Sequence, residues 1–426
     1  MLYPKKASHY CVVELFATHS SQPMTPKIYL DNAATTAVAP EVVEAMLPYL
    51  TQAYGNASSV HSFGQQARAA IERARRQVAM LIGAAESSEL IFVSGGTEAN
   101  NLAIQGIAKS YGRPGQHIIT TAFEHPAVLG PCAALENRGF RVTRLPVYET
   151  GLIRLEDVRA ALTDDTILMT IMMANNEVGT LQPVAEIGKL VQEVREHRPH
   201  LYFHVDAVQA AGKVPINVKE LGVDLLSISG HKIHAPKGVG ALYLRKGVRI
   251  AAQQLGGHHE RDRRAGTENV AGIVAFGKAV ELASRQIAEM TEVARLRDHL
   301  EQSLIETIPG LQVNGDPNSR LPNLTNLSFD TIDAESLLIA LDLKGIAVST
   351  GAACSSGSTE PSHVLTAMGF SRERVRSSLR LSLSRFTTPA EIDRVIEVLP
   401  ELVKRQRQKT SGANLECGGL TPLSSR

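Results

Sequence analysis

The stretch Leu225-Leu226-Ser227-Ile228-Ser229-Gly230-His231-Lys232 organises the reading of this chain. Its first four residues suit a strand buried on both faces, as in a parallel sheet covered by helices. It then ends on a lysine. An ammonium taken out of water costs several kcal/mol unless it is paired or neutralised. A lysine desolvated beside other cations gives up its proton and becomes a nucleophile. A surface lysine that opens a loop is the plainer alternative for this segment alone.

Upstream, Phe203-His204-Val205-Asp206-Ala207-Val208-Gln209 again closes an apolar strand with a charge. Asp206 could hold the proton of a pyridinium nitrogen, or simply cap the next helix. Asp206 and Lys232 together are more telling than either alone, because a protonated pyridine beside a nucleophilic amine is the working pair of pyridoxal phosphate. Further upstream, Ser94-Gly95-Gly96-Thr97-Glu98-Ala99-Asn100-Asn101 follows the apolar Leu90–Val93 and opens a helix. Glycines let backbone approach an anion, and a helix N-terminus offers free N–H groups to it. The segment has neither GxxxxGK[ST] nor GxGxxG, so it predicts a phosphate site that is not a Walker loop or a dinucleotide fingerprint.

Outward from these segments, strand-like runs at 117–120, 167–173, 201–205 and 239–244 alternate with helical patterns. That alternation predicts an α/β fold with a mostly parallel sheet. Val43, Met46, Leu47 and Leu50 follow Pro40 at helical spacing and predict a helix with one apolar face. Beyond about residue 285 the pattern changes to a long helix, strands at 323–329, 346–349 and 378–383, and a last helix opened by Thr388, Pro389 and Glu391. The expected organisation is an extension over 1–26, a small α+β domain from 27–38 and 286–405, a large domain over 39–285, and a tail over 406–426. Residues 1–23 read as an extension or a misplaced start.

Composition narrows the classes. The chain has 426 residues, 43% of them hydrophobic, and 44 basic against 43 acidic side chains. A nucleic-acid protein would normally carry a basic excess. No apolar run reaches the ~18 residues of a membrane span, and the N-terminus lacks a continuous apolar signal core. Cys11, Cys132, Cys354 and Cys417 lie far apart, with no CxxC, which points to a reducing, cytoplasmic setting. His231/His234 and His258-His259-Glu260 match no metal-binding spacing, so no metal is expected. Cys354 is different from the other cysteines. Thr350-Gly351-Ala352-Ala353-Cys354-Ser355-Ser356-Gly357-Ser358 surrounds it with small, flexible residues, the setting of a reactive thiol.

Seven segments then appear in order: Tyr29–Thr36, Gly55–His61, Ser94–Asn101, Asn175–Thr180, His204–Gln209, Ser229–Lys232 and Arg264–Asn269. Together they resemble the cysteine desulfurases of the NifS/IscS type, in the class V aminotransferase family, over about residues 27–405. The long loop Ser349–Pro361 resembles the first desulfurase group, whose cysteine rides on a mobile loop. The resemblance implies a type I pyridoxal-phosphate fold with a mostly parallel, seven-stranded sheet and a homodimer. It implies that Lys232 holds the cofactor and Asp206 pairs with its ring nitrogen. His125 would stack on the ring, and Asn176 and Gln209 would contact its substituent oxygen. Gly96, Thr97, Ser229 and His231 would bind the phosphate, as would Thr267 from the neighbouring subunit. Arg380 would clamp the carboxylate of L-cysteine, and Cys354 would take the sulfur as a persulfide. An iron–sulfur scaffold or a tRNA-thiolation carrier would receive it. A selenocysteine lyase and a class V aminotransferase are the alternatives. Neither a nucleic acid nor a membrane is an expected partner.

Overall fold

The structure, a computed structural model, describes residues 27–351 and 361–416, with side chains as far as residue 408. Twelve strands form in chain order: β1 (Ile28–Tyr29), β2 (Leu90–Val93), β3 (His117–Thr121), β4 (Arg141–Leu145), β5 (Thr166–Met172), β6 (Tyr202–Asp206), β7 (Leu225–Ser229), β8 (Gly240–Leu244), β9 (Leu311–Asn314), β10 (Leu324–Phe329), β11 (Ile346–Ala347) and β12 (Ser378–Ser382). Seven of them make one sheet in the order β2-β8-β7-β6-β5-β3-β4. Only β8 runs against its neighbours.

This sheet is buried on both faces, and the period of two decides which side chain goes where. In β2, Leu90 and Phe92 enter one core while Ile91 and Val93 enter another. In β8, Ala241 and Tyr243 join the first core, and Leu242 and Leu244 join the second. The helix Gly96–Tyr111 covers the second face, and the helices Ser62–Leu81 and Val270–Gln286 pack on the first. Because the strands other than β8 are parallel, the carboxyl ends of β2, β3, β5, β6 and β7 open on one side. Open α/β sheets bind ligands at that edge.

A further core is built from Ile28 and Leu30 at one end of the sequence and residues 293–403 at the other. There β12-β10-β9 form an antiparallel sheet, and β1 pairs with β11 in parallel. The last helix starts as its sequence predicts. Thr388 N–H donates to Glu391 Oε2 at 2.7 Å, and Glu391 N–H donates to Thr388 Oγ1 at 3.3 Å. Ile392, Val395 and Leu399 are fully buried along one face.

Three features go beyond the reading of the sequence. The helix Pro40–Thr51 forms, but Val43, Leu47 and Leu50 are about half exposed within the chain, and only Val42 on this helix is buried. Helical spacing marks an apolar stripe without saying what covers it. The last helix runs to Glu416, past the residue 405 at which the small domain is expected to end. Strand β4 escaped notice because Arg-Val-Thr-Arg-Leu at a sheet edge carries no buried run. Among the described residues, no helix is long and apolar enough to cross a membrane.

Candidate active site

A cavity of about 360 Å³ opens at the carboxyl edge of the large sheet. Gly96, Thr97, His125, Asn176, Asp206, Gln209, Ser229, His231, Lys232 and Arg380 all line it, with Asn100 and the Ala33-Ala34 backbone. Strand ends deliver most of them: β6 ends on Asp206 and β7 on Ser229, while Gly96 begins the helix after β2. Asp206 is the sole carboxylate among the lining residues, against the side chains of Lys232, Arg380, His125 and His231.

Lys232 reaches into the cavity from the short helical turn Gly230–Lys232, and its Nζ donates to the carbonyls of Ala33 and Ala34 at 2.5 and 2.7 Å. Asp206 is buried. Its Oδ2 accepts from Asn100 Nδ2 at 2.6 Å and its Oδ1 from the Val208 N–H at 2.9 Å. Behind it, His204 bridges Thr170 and Ser227 across three strands. Burial pushes that imidazole down to about 3, so it is a neutral structural group.

His125 caps the helix Pro126–Glu136, its Nδ1 accepting from the Ala127 N–H at 3.0 Å. That bond fixes the neutral ring as the Nε2–H tautomer. Burial lowers its pKa, with Lys232 adding to the effect against the opposing pull of Asp206. Burial and the neighbouring lysines push His231 down to about 4, so it meets a ligand as a neutral donor.

Arg380, on β12, is almost fully buried. Its Nη1 donates to the Asn176 carbonyl at 2.9 Å, and its Nη2 to Asp31 Oδ1 at 2.7 Å. Asn175 arranges this turn by accepting from the N–H groups of Glu177 and Val178. Glu177 in turn accepts from Ser362 Oγ at 2.6 Å, and a Cβ on Gly351 would stand 2.8 Å from its Oε2. Residues 351 and 362 are thus gathered at one buried carboxylate.

Thr267 lies elsewhere. It lines a separate hollow with Arg264, Gly266 and Glu268, not the cavity of its own chain. Arg264 ties this segment to the glycine-rich turn, since Glu98 accepts from Arg264 Nε at 2.9 Å and from the Ser94 N–H at 2.7 Å. Cys354, together with Cys11 and Cys417, falls outside the described residues. Cys132 is fully buried, and desolvation pushes its thiol up to about 12, so it offers no thiolate at neutral pH. Reading the sequence assigned no role to Asp31, Asn100 or the Ala33 and Ala34 carbonyls. They lie inside quoted segments, yet their partners are remote in sequence and only the fold reveals them.

The donor set suits pyridoxal phosphate. Ser229 Oγ is buried with no partner among the described residues, beside the N-terminus of the helix Gly96–Tyr111. A buried hydroxyl without a partner is costly, and a phosphate oxygen would satisfy it. Gly96 lets the start of this helix pack against Val208, since a Cβ there would stand 2.6 Å from Val208 Cγ2.

Comparison with known proteins agrees. The class V aminotransferase family matches residues 28–395. The cysteine desulfurase of Trichormus azollae is 54% identical over 394 residues, covering 92% of this chain and 97% of that one. The cysteine desulfurase IscS of Methanosarcina thermophila is 51% identical, covering 94% and 96% respectively. A solved NifS-like protein superposes with a TM-score of 0.83 at 37% identity, over 89% of this chain and 99% of its own. A NifS-like protein from Rickettsia africae gives 0.78 at 36% identity, with the same coverage. The fold, the lysine at the sheet edge and these likenesses agree: the chain belongs to the cysteine desulfurases of the pyridoxal-phosphate-dependent class V aminotransferase family.

Proposed function

We propose that this chain takes the sulfur from L-cysteine, releasing L-alanine and leaving a persulfide on Cys354. The observation that carries the reading is the placement of the Lys232 amine, the Asp206 carboxylate and the Arg380 guanidinium around one cavity. When bound, pyridoxal phosphate supplies an electron sink for a carbanion next to the substrate nitrogen. Thr97, Ser229, His231 and the helix N-terminus at Gly96 hold its phosphate. Asp206 keeps the ring nitrogen protonated, and Asn176 and Gln209 address the ring oxygen.

The remaining roles belong to the protein's own groups. Arg380 orients the substrate carboxylate as a planar fork that a lysine could not reproduce. Lys232, besides holding the cofactor, accepts the α-proton of the substrate. His125 lies over the site as a neutral ring able to pass a proton. The Cys354 thiolate attacks the substrate sulfur, and its C–S bond breaks. The overall change balances: L-cysteine and the Cys354 thiol become L-alanine and the Cys354 persulfide. That sulfur then passes to an acceptor protein, an iron–sulfur scaffold or a tRNA-thiolation carrier in the cytoplasm.

A homodimer belongs to the same reading. Its support is the half-exposed stripe Val43, Leu47 and Leu50 with the exposed Tyr54 and Phe63, an apolar patch that a second copy would cover. Thr267, outside its own chain's cavity, would then serve the partner's phosphate site. Sedimentation of the wild type and of Leu47→Glu tests this, with dissociation expected in the variant.

The activity is tested by measuring alanine and sulfide from L-cysteine under a reductant. Cys354→Ala is expected to keep the yellow cofactor spectrum and lose sulfide release. Undiminished sulfide from that variant would remove Cys354 from the reaction. Keto-acid turnover without sulfide would favour an aminotransferase instead.

A further inference from the structure

Lys213 is a buried amine that the reaction does not use. It follows the Asp206–Gln209 segment, and its Nζ donates to the Gln209 carbonyl at 2.8 Å and to Gln209 Oε1 at 3.4 Å. The other end of the same amide, Gln209 Nε2, donates to the Ala33 carbonyl at 2.9 Å. That carbonyl also accepts from Lys232 Nζ. Two lysines are therefore joined through one amide and one backbone oxygen.

The surroundings make this placement costly. Lys213 lines a small cavity of about 40 Å³ behind Lys232, with His234 and Arg385 and no carboxylate among its lining residues. The groups that act on it or feel its charge are Lys232, His231 and His234, all basic. A buried ammonium without a counter-ion is strongly unfavourable. Burial and the nearby Lys232 push its pKa down to about 7. Charged or neutral, it still donates hydrogen bonds.

An amide has one accepting and one donating end. With Lys213 at one side and the Ala33 carbonyl at the other, only one orientation of Gln209 is satisfied. The flipped amide would set its NH₂ against the Lys213 donors and its oxygen against the Ala33 carbonyl. The stable orientation spends one Nε2–H on Ala33 and leaves the second for a ligand in the cavity that Gln209 lines.

We propose that Lys213 is a positioning residue that locks the Gln209 amide with its donor end toward the cofactor ring oxygen, and so sets the protonation state of the bound cofactor. The inference rests on the assignment of this cavity to pyridoxal phosphate. Lys213→Met removes the donor while keeping an unbranched chain of similar length. In the cofactor-loaded protein, the amide can then turn its oxygen to the ring. That change favours the protonated chromophore.

The test is a pH titration of the visible absorbance. The Lys213→Met midpoint is expected to rise by about 0.5 unit or more. Lys213→Gln, which retains an N–H donor, is expected to fall between the two, and it carries the test if the methionine variant does not fold. A purely structural lysine would lower thermal stability and leave the midpoint in place. A wild-type midpoint in either folded, cofactor-loaded variant overturns the proposal alone. A wild-type protein that takes up no pyridoxal phosphate overturns the proposal together with the assignment beneath it.

Discussion

Nη2 of Arg380 stands 2.7 Å from Oδ1 of Asp31, joining two residues 349 positions apart across the rim of the cavity. Arg380 is buried, and its Nε has no partner among the described residues. The guanidinium is thus held by Asp31 and the Asn176 carbonyl with donor capacity to spare. Removing one partner of such a pair leaves the other charge uncompensated. Asp31→Asn is expected to raise KM for L-cysteine about tenfold, equivalent to ~1.4 kcal/mol, with the cofactor absorbance unchanged. Arg380→Lys should cost far more, at least a hundredfold in kcat/KM, because a point charge cannot grip a carboxylate at two points. Steady-state kinetics of the two variants separates them.

Asn100 makes a second prediction. It donates to Asp206 Oδ2 at 2.6 Å, and with the Val208 N–H it aims this buried carboxylate. Asn100→Ala removes a charge-assisted bond worth ~1.5–3 kcal/mol. Cofactor retention, followed by absorbance during dialysis, is expected to weaken by roughly tenfold or more. Under the proposed function the Lys232 amine would form the covalent link, so Lys232→Ala should lose the long-wavelength band at every pH.

Glu124 supplies a pH prediction of definite sign. Its carboxyl is fully buried, with Oε1 accepting from Thr121 Oγ1 and the Met172 N–H at 2.8 Å each and Oε2 without a partner among the described residues. Burial, helped by Asp206, pushes it from 4.5 up to about 8. The folded protein therefore holds a proton that the unfolded chain releases. The stabilisation is full below about pH 4.5 and is lost as pH rises toward 8, at up to ~1.4 kcal/mol per pH unit. Glu124→Gln keeps the accepting oxygen and cannot ionise. Denaturant midpoints measured from pH 5 to 9 should lose that component of their slope in the variant.

Arg75 and Glu260 form a buried two-point pair, with Nη1–Oε2 at 2.7 Å and Nη2–Oε1 at 2.8 Å, and Glu260 also accepts from the Phe92 N–H. Glu260, Arg261 and Asp262 all have positive φ, so the pair holds strained backbone just ahead of the Thr267 segment. Glu260→Ala is expected to destabilise the fold by about 3–5 kcal/mol. Replacing both partners with apolar residues should cost less than either single change, which a double-mutant cycle in urea would show.

The chain's own pattern fixed the alternation of strands and helices, and local chemistry fixed the caps, the glycine-rich turn, the place of Asp206 at the end of a strand and that of Lys232 in the turn after one. These features are local: hydrophobic period, capping geometry and the cost of a charge at the end of a buried run act within a few residues. Tertiary structure decided which remote groups meet. Asn100 reaches Asp206 because parallel strands bring their carboxyl ends to one edge, while Asp31 reaches Arg380 because the chain after β1 lies beside β12, and the Ala33 carbonyl then meets Lys232. The same limit explains the stripe on the helix Pro40–Thr51. Spacing defines an apolar face, but what covers it depends on surfaces brought together in three dimensions, where burial and electrostatics over long sequence distances are settled.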